Sequence, residues 1–408
     1  LEAGLSKTAV GDPEGIEDLK TFLQEYPEHA RVPEALLTLA EHHLSAEPPD
    51  LQRSRRFLER LESVSGLPAR VRECRDYVAV WLAAALHRLP ASPESGESPD
   101  PDASAPPART ISVEEAATAF LERWPESASR PIVRLKLAEF LLNKGDSANA
   151  LIQFRLLVRE NPQSPLAEQA RFLAGKALVL AGGKSNLSQA ISEWDAIAQG
   201  SGPLALHARL EQALALTRDD RRQDALVVFD ALLGRREIPD ELRITALLAK
   251  GEALYVLAQS RSAVAAGAPE PLPSSVPSPT AALTPREYLD QAISTFQTVA
   301  ALSDVPPEIR DEARYRLARC HEQNGDLEST LGTLLEITNS LGEGPRSDWT
   351  WYFRAGLEAL RLLDRDRKWE AALQLAKRLA SVDDPRAAEA AAYADRLRLE
   401  HFIFEVED

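Results

Sequence analysis

Few residues in this chain are equipped for chemistry. Glu41, His42 and His43 stand side by side, and Cys74 and Cys320 are its two thiols among 408 residues. Metal-assisted hydrolysis from a helix needs a second imidazole one turn from the first, with a carboxylate between them, as in H-E-x-x-H. Glu41-His42-His43 has no such second ligand, and the other histidines of the seven are scattered. There is no Gly-rich phosphate loop, no nucleophile elbow and no Cys-x-x-Cys pair. The expectation is a chain with no active site of its own, no metal and no cofactor. A stand-alone hydrolase would instead need titratable groups clustered in one deep pocket.

The elements that position these residues are read best from residues 131–164, PIVRLKLAEFLLNKGDSANALIQFRLLVRENPQS. The spacing predicts two short amphipathic helices, with Gly145-Asp146 as the turn and Asn161-Pro162 as the stop. Leu137, Ala138 and Leu141 share one face of the first helix; Ala150, Phe154 and Leu157 share one face of the second. Alanines at a helix crossing let two backbones approach within about 8–10 Å. Phe154 supplies apolar area toward the next unit. Pro162 lacks the helical N–H and disfavours helix at Asn161.

The unit resembles the tetratricopeptide repeat closely, on Leu137-Ala138, Leu141, Ala150, Phe154 and Pro162. It departs from that pattern in carrying Arg134 where the family has tryptophan and Ala138 where it has glycine. Internal repetition supports the reading. Residues 15–44 lie on residues 113–142 without a gap, matching Phe22 to Phe120, Tyr26 to Trp124, Pro27 to Pro125, and Leu39-Ala40-Glu41 to Leu137-Ala138-Glu139. Further alanine–aromatic pairs recur at Ala190/Trp194, Ala225/Phe229 and Ala292/Phe296. Later pairings are expected through Leu317-Ala318 with Leu334, and through Ala355-Gly356 with Trp369 and Ala371. The resemblance implies an all-α fold, a right-handed superhelical solenoid of about eight antiparallel helix pairs with a C-terminal capping helix. A single array is expected over residues 1–408, with disordered Pro- and Ser-rich inserts at 91–109 and 267–283, each inside a helix pair.

Composition sets further bounds. Apolar residues make up 44 % and aromatics 6 %, which suits an alanine- and leucine-rich helical chain. The longest apolar run, Val78 to Leu86, is less than half of the ~20 residues a membrane-spanning helix needs. A formal charge of −16 argues against nucleic acid as a partner, because phosphate binding needs a basic surface. The basic runs Arg53/Arg55/Arg56/Arg60 and Arg365/Arg367/Lys368 are interleaved with Glu59, Glu62, Asp364 and Asp366, and read as solvated helix faces. Cys74 and Cys320 fall in distant units, so no intrachain disulfide is expected. The chain opens on LEAGLSKTAVGDPEG, the tail of a helix and a Gly11-Asp12 turn, which suggests a segment of a longer protein.

In tetratricopeptide arrays the first helices of successive pairs line a concave ligand face. The resemblance therefore implies partner contacts at Glu41, Glu139, Lys176, Arg218, Glu252, Tyr255, Tyr315, Arg319 and Glu322. The asparagines of the chaperone-tail clamp are missing from the matching places, since Asn143 and Asn324 fall near hairpin turns. Trp349, Trp351, Tyr352 and Phe353 form the densest aromatic cluster, read as inter-repeat core behind a Ser347-Asp348 cap, with a binding hot spot as the other reading. The function implied is a non-enzymatic scaffold for another protein or an extended peptide. The aromatic-Pro stop followed by an Ala- and Leu-rich helix is similar to bacterial envelope tetratricopeptide proteins, of the BamD and Tol–Pal-associated kinds. That likeness favours the periplasm or cell envelope over the cytoplasm. The alternative is a docking or regulatory region of a larger enzyme or secretion machine.

Overall fold

The computed structural model describes residues 1–88, 112–265, 283–340 and 348–401. All nineteen elements among them are helices, and no strand occurs among the described residues. The chain divides into two compact units, Leu1–Glu193 and Trp194–Asp408. In the first lie α1 (Glu2–Ala9), α2 (Glu14–Glu25), α3 (Val32–Ser45), α4 (Leu51–Glu62), α5 (Ala69–Arg88), α6 (Val113–Arg123), α7 (Arg130–Asn143), α8 (Ser147–Glu160) and α9 (Leu166–Ala181). The division falls within α10 (Lys184–Ala198). In the second lie α11 (Ala205–Arg218), α12 (Arg222–Leu233), α13 (Asp240–Ala265), α14 (Pro285–Ala300), α15 (Pro307–Gln323), α16 (Leu327–Asn339), α17 (Thr350–Arg365), α18 (Trp369–Ala380) and α19 (Ala387–His401).

Local chemistry explains where the helices start and stop. Asp50, Asp146 and Asp326 cap α4, α8 and α16 by accepting the N–H of the residue three further on, at 2.9–3.1 Å. Ser112 with Glu115 and Thr284 with Glu287 form complete capping boxes at α6 and α14. Tyr26, Trp124 and Asn161 each end a helix just before a proline, and each N–H returns to the carbonyl four residues back at 2.9 Å. The restriction a proline puts on its predecessor accounts for the shared geometry.

In four pairs, α7/α8, α11/α12, α15/α16 and α17/α18, the first helix meets the second through one recurring turn. Its central residue is left-handed: Gly145 (φ 89°), Asp220 (φ 66°), Gly325 (φ 75°) and Arg367 (φ 59°). The residue after it returns its N–H five residues back, from Asp146 to Leu141, Arg221 to Leu216, Asp326 to His321 and Lys368 to Leu363, at 2.9–3.0 Å. Glycine fits the left-handed position without strain, and two of the four turns do without it.

Each pair closes on small residues. Ala150, Ala190, Ala225 and Ala292 are fully buried, and their aromatic partners Phe154, Trp194, Phe229 and Phe296 are at most 1 % exposed. Burying each such ring contributes roughly 1.5–3 kcal/mol before entropy is counted. Gly251 and Gly356 mark the tightest approaches: a Cβ on Gly251 would lie 2.6 Å from the Phe296 ring, and one on Gly356 2.5 Å from Leu379. Arg134, standing where the repeat family has tryptophan, is buried in the α7/α8 pair. Its guanidinium donates to Gln153 at 2.9 Å and to Glu160 at 2.9 Å. Burial holds its pKa below the ordinary arginine value, and Glu160 opposes that effect.

Successive pairs then lie side by side. In the first unit α3, α5, α7 and α9 each touch the next of their kind, and in the second unit α11, α13, α15 and α17 do the same. The second helices make no comparable lateral approach among the described residues. All of the insert 91–109, and all of 267–283 but Leu283, lies outside the described residues. The helices flanking each insert nevertheless pack on one another. Tyr77 of α5 meets Phe120 of α6 edge-on at 6.3 Å, and Gly251 of α13 abuts Phe296 of α14. Asp76 ties α5 to the end of α6, accepting from Arg123 at 2.8 Å and from the Trp124 indole at 3.0 Å.

Two details differ from the sequence reading. Ala371 is exposed, and α18 buries Ala372, Leu373, Leu375, Ala376 and Leu379 instead, because the helix starts at Trp369 with that stripe in phase. The N-cap of α17 is Trp349 without a side-chain cap bond, while Asp348 accepts the Thr350 N–H at 2.8 Å; Ser347 lies outside the described residues, as do residues 402–404. Tyr352 and Phe353 are buried in the core, with Trp349 and Trp351 packed partly buried against it.

Candidate functional site: an arginine–tyrosine row on the first helices

In the second unit, side chains one helical turn apart form matching stripes on neighbouring first helices. On α13 the stripe is Glu252, Tyr255 and Gln259; on α15 it is Glu312, Tyr315 with Arg316, Arg319 and Glu322. Residues 255 and 315 were expected to face outward. Both are buried, Tyr255 at 8 % and Tyr315 at 4 % exposure, because each ring plugs the seam beside the next first helix and only its hydroxyl reaches the polar row.

The hydroxyls organise the arginines. The Tyr255 hydroxyl accepts from Gln259 at 2.8 Å and from Arg319 at 3.2 Å, and the Arg319 guanidinium lies 5.8 Å from the Tyr255 ring centre. Arg319 also approaches Glu322 at 3.5 Å. The Tyr315 hydroxyl donates to Glu358 of α17 at 2.8 Å. Arg354, also on α17, sits 4.9 Å over the Tyr315 ring and 5.4 Å over Trp351. Arg316 bridges Glu312 at 2.7 Å and Glu252 at 3.7 Å. Guanidinium groups held on ring faces lose little further freedom on binding.

The electrostatics follow from burial and from these pairings. Burial raises the pKa of Tyr255 although Arg319 opposes it; burial and then Glu358 raise that of Tyr315. Both phenols are neutral donors or acceptors at physiological pH. Burial works against the Arg319 charge, but Tyr255, Tyr315 and Glu358 outweigh it and hold its pKa above the ordinary value. Cys320, beneath the row, is pushed up to about 12 by burial first and by Glu252 second, so it carries no thiolate. The face can hydrogen-bond and stack; it holds no activated nucleophile.

The row continues along α17 into a cleft of about 610 Å³ against α19, lined by Leu357, Arg361, Asp364, Arg365, Glu389, Tyr393 and Arg396. Tyr393 donates to Asp364 at 2.9 Å, and the Arg396 guanidinium reaches Asp364 at 3.7 Å while lying 4.2 Å over the Tyr393 ring.

Of the expected positions, Glu252, Tyr255, Tyr315, Arg319 and Glu322 are thus brought together. Glu139 and Lys176 lie in the first unit. Glu139 pairs with Lys136 at 3.1 Å and accepts from Gln169 at 3.3 Å, and Lys136 covers Trp81 at 4.7 Å. Lys176 rests 5.1 Å over Phe172 of its own helix. Glu41 reaches solvent, yet the protein around it raises its carboxyl pKa. Arg218 is exposed at the last turn of α11. Sequence reasoning missed Arg354, Glu358, Arg361 and Arg365, although their spacing of four, three and four residues is a helical stripe. Among the described residues, no group of three or more His, Cys, Asp or Glu side chains could hold a metal ion, and no helix is long and apolar enough to cross a membrane.

No family model matches the chain, and no curated protein matches it in sequence. Among solved structures, a tetratricopeptide repeat protein from Parabacteroides merdae is similar at 11 % identity over 71 % of this chain and 92 % of its own, with a TM-score of 0.41. The apo form of RapI is similar at 7 % identity over 91 % of this chain and 98 % of its own, with a TM-score of 0.44. A kinesin light chain of nearly identical TPR-like repeats from Podospora anserina is similar at 17 % identity over 66 % and 99 %, with a TM-score of 0.30. Likenesses this remote carry no argument about function; the all-α, hairpin-by-hairpin organisation stands on the chain's own geometry.

Proposed function

We propose that this protein is a non-enzymatic scaffold that holds an extended segment of a partner protein across α13, α15 and α17. The observation that carries the reading is the placement of Arg319 and Arg354, each pre-set on an aromatic face, Arg354 exposed and Arg319 partly so. Pre-ordered donors of this kind suit backbone carbonyls and polar side chains of a peptide, since little side-chain entropy is lost on binding. Glu139, Lys176 and Arg218 are proposed as further partner contacts on their own first helices. Placement in the bacterial envelope rests on the sequence resemblance alone.

The test is selection of a random peptide display library on the intact protein, followed by titration of the selected peptides. Binding is expected to weaken at least about tenfold in R319E and in R354E. Tyr315→Phe, which keeps the buried ring and drops the hydroxyl, should weaken it less. Tyr315→Ala is unsuitable because it empties a core position. Peptides that bind R319E and R354E as tightly as the parent would overturn the reading.

A further inference from the structure

Arg361 and Arg365 differ from the other arginines of the row. They stand one turn apart on α17 at the cleft against α19, and among the described residues neither guanidinium has an ion-pair or hydrogen-bond partner. The cleft's Asp364 is already engaged by the Tyr393 hydroxyl and approached by Arg396. The cleft thus holds three arginines against two carboxylates, Asp364 and Glu389, a local positive excess in a chain of net charge −16. Arg354 lies two turns earlier on the same stripe, bound to rings rather than to a carboxylate.

Resting on the scaffold reading above, we infer that this cleft and the α17 stripe receive an acidic stretch of the partner polypeptide, with carboxylates meeting Arg354, Arg361 and Arg365 and apolar side chains between them on Trp351, Leu357 and Tyr393. Charge complementarity selects the occupant. A guanidinium fork matches a carboxylate in two parallel hydrogen bonds. The interleaved Glu358, Asp364 and Glu389 would repel a uniform polyanion such as a nucleic acid backbone, but tolerate carboxylates placed at intervals. Geometry sets those intervals. Seven and then four residues of α17 separate the three arginines, or roughly 10 Å and 6 Å at the helical rise. An extended chain presents every second side chain to one face, so the matching intervals are about four and about two residues, roughly 13 Å and 7 Å, with the long side chains taking up the difference.

The probe is a fluorescein-labelled peptide with glutamate at its first, fifth and seventh positions and leucine or tyrosine between them, titrated by anisotropy against the whole chain. Its glutamine counterpart and an oligoribonucleotide serve as the other ligands. The glutamate peptide is expected to bind at least about tenfold more tightly than the glutamine one, with affinity falling as salt rises. R361E/R365E should lose at least about tenfold, and should instead favour the lysine version of the peptide. Both residues are exposed, so circular dichroism should show an unchanged fold, and R235E/R236E, exposed and outside the row, should bind as the parent does. Equal binding of the glutamine peptide, indifference to R361E/R365E, no binding at about millimolar peptide, or tighter binding of the oligoribonucleotide would each overturn the inference. If display-selected peptides still depend on Arg319 and Arg354 while the glutamate peptide fails, the scaffold reading stands without this one. If both dependences fail, both readings fall.

Discussion

Replacing Gly251 with alanine should destabilise the second unit, while the same replacement at Gly332 should stabilise it. Both glycines lie inside helices, where alanine is favoured over glycine by about 1 kcal/mol. Gly332 is exposed with nothing within 4 Å of its missing Cβ, so that gain is realised in full. At Gly251 the new Cβ would lie 2.6 Å from two atoms of the Phe296 ring, whereas ordinary carbon contacts begin near ~3.5 Å. The ring would have to move by about 1 Å, and Phe296 is fully buried among Leu254, Tyr255, Ala292 and Val299. Overpacking of this kind costs roughly 1–3 kcal/mol, so the net loss after the helix gain is up to about 2 kcal/mol. Urea denaturation followed by circular dichroism gives the global change, and amide exchange in α13 and α14 gives the local one. Phe296→Leu on its own should cost about 1–2 kcal/mol through the cavity it leaves, yet combined with Gly251→Ala it should recover at least ~1 kcal/mol of the summed losses. If G251A were as stable as G332A, or F296L gave no recovery, glycine would not be setting the α13–α14 spacing.

Two further outcomes are expected. Arg367→Gly should raise stability by about 0.5–1 kcal/mol, since a left-handed non-glycine residue costs roughly 1–2 kcal/mol and glycine gives part of that back in chain entropy; Gly325→Ala, at the equivalent turn, should lower it, and paired urea midpoints check both signs. His43 is buried at 7 % exposure and stacked on Phe57, and burial, only partly offset by Asp50, lowers its pKa. The unfolded chain therefore takes a proton near the ordinary value of 6.5 that the folded chain refuses, so stability falls as pH drops below it toward the folded value. His43→Phe should flatten the change in urea midpoint between about pH 7.5 and about pH 5.5, and an unchanged slope would assign it to other groups.

The repeat architecture was legible because its determinants are local. Ala150 and Phe154, the Gly145-Asp146 turn and the Asn161-Pro162 stop each act within a few residues, and each sits where the spacing places it. The binding row was only half legible. Tyr255, Arg319 and Glu322 could be assigned to first helices by periodicity, but which of them reach solvent depends on the lateral distance between helices far apart in sequence. That distance buries the rings of residues 255 and 315 and leaves their hydroxyls to hold Arg319 and Glu358. Trp351 shows the same limit. Its cluster was read as core, yet this one ring also supports Arg316 and Arg354 from the side. Ala371 failed for a simpler reason: one residue of helical phase, fixed by where α18 begins, decides which alanine faces inward.

The Asp76 contact with Arg123 and Trp124 has an implication for how this chain tolerates change. Since α5 and α6 are fastened by side chains at that point, the covalent thread between residues 88 and 112 need not set their separation. Doubling the number of residues that close a loop adds only about 0.6 kcal/mol of closure entropy. Evolution is thus free to lengthen, shorten or rewrite that stretch while the pair it joins keeps its register.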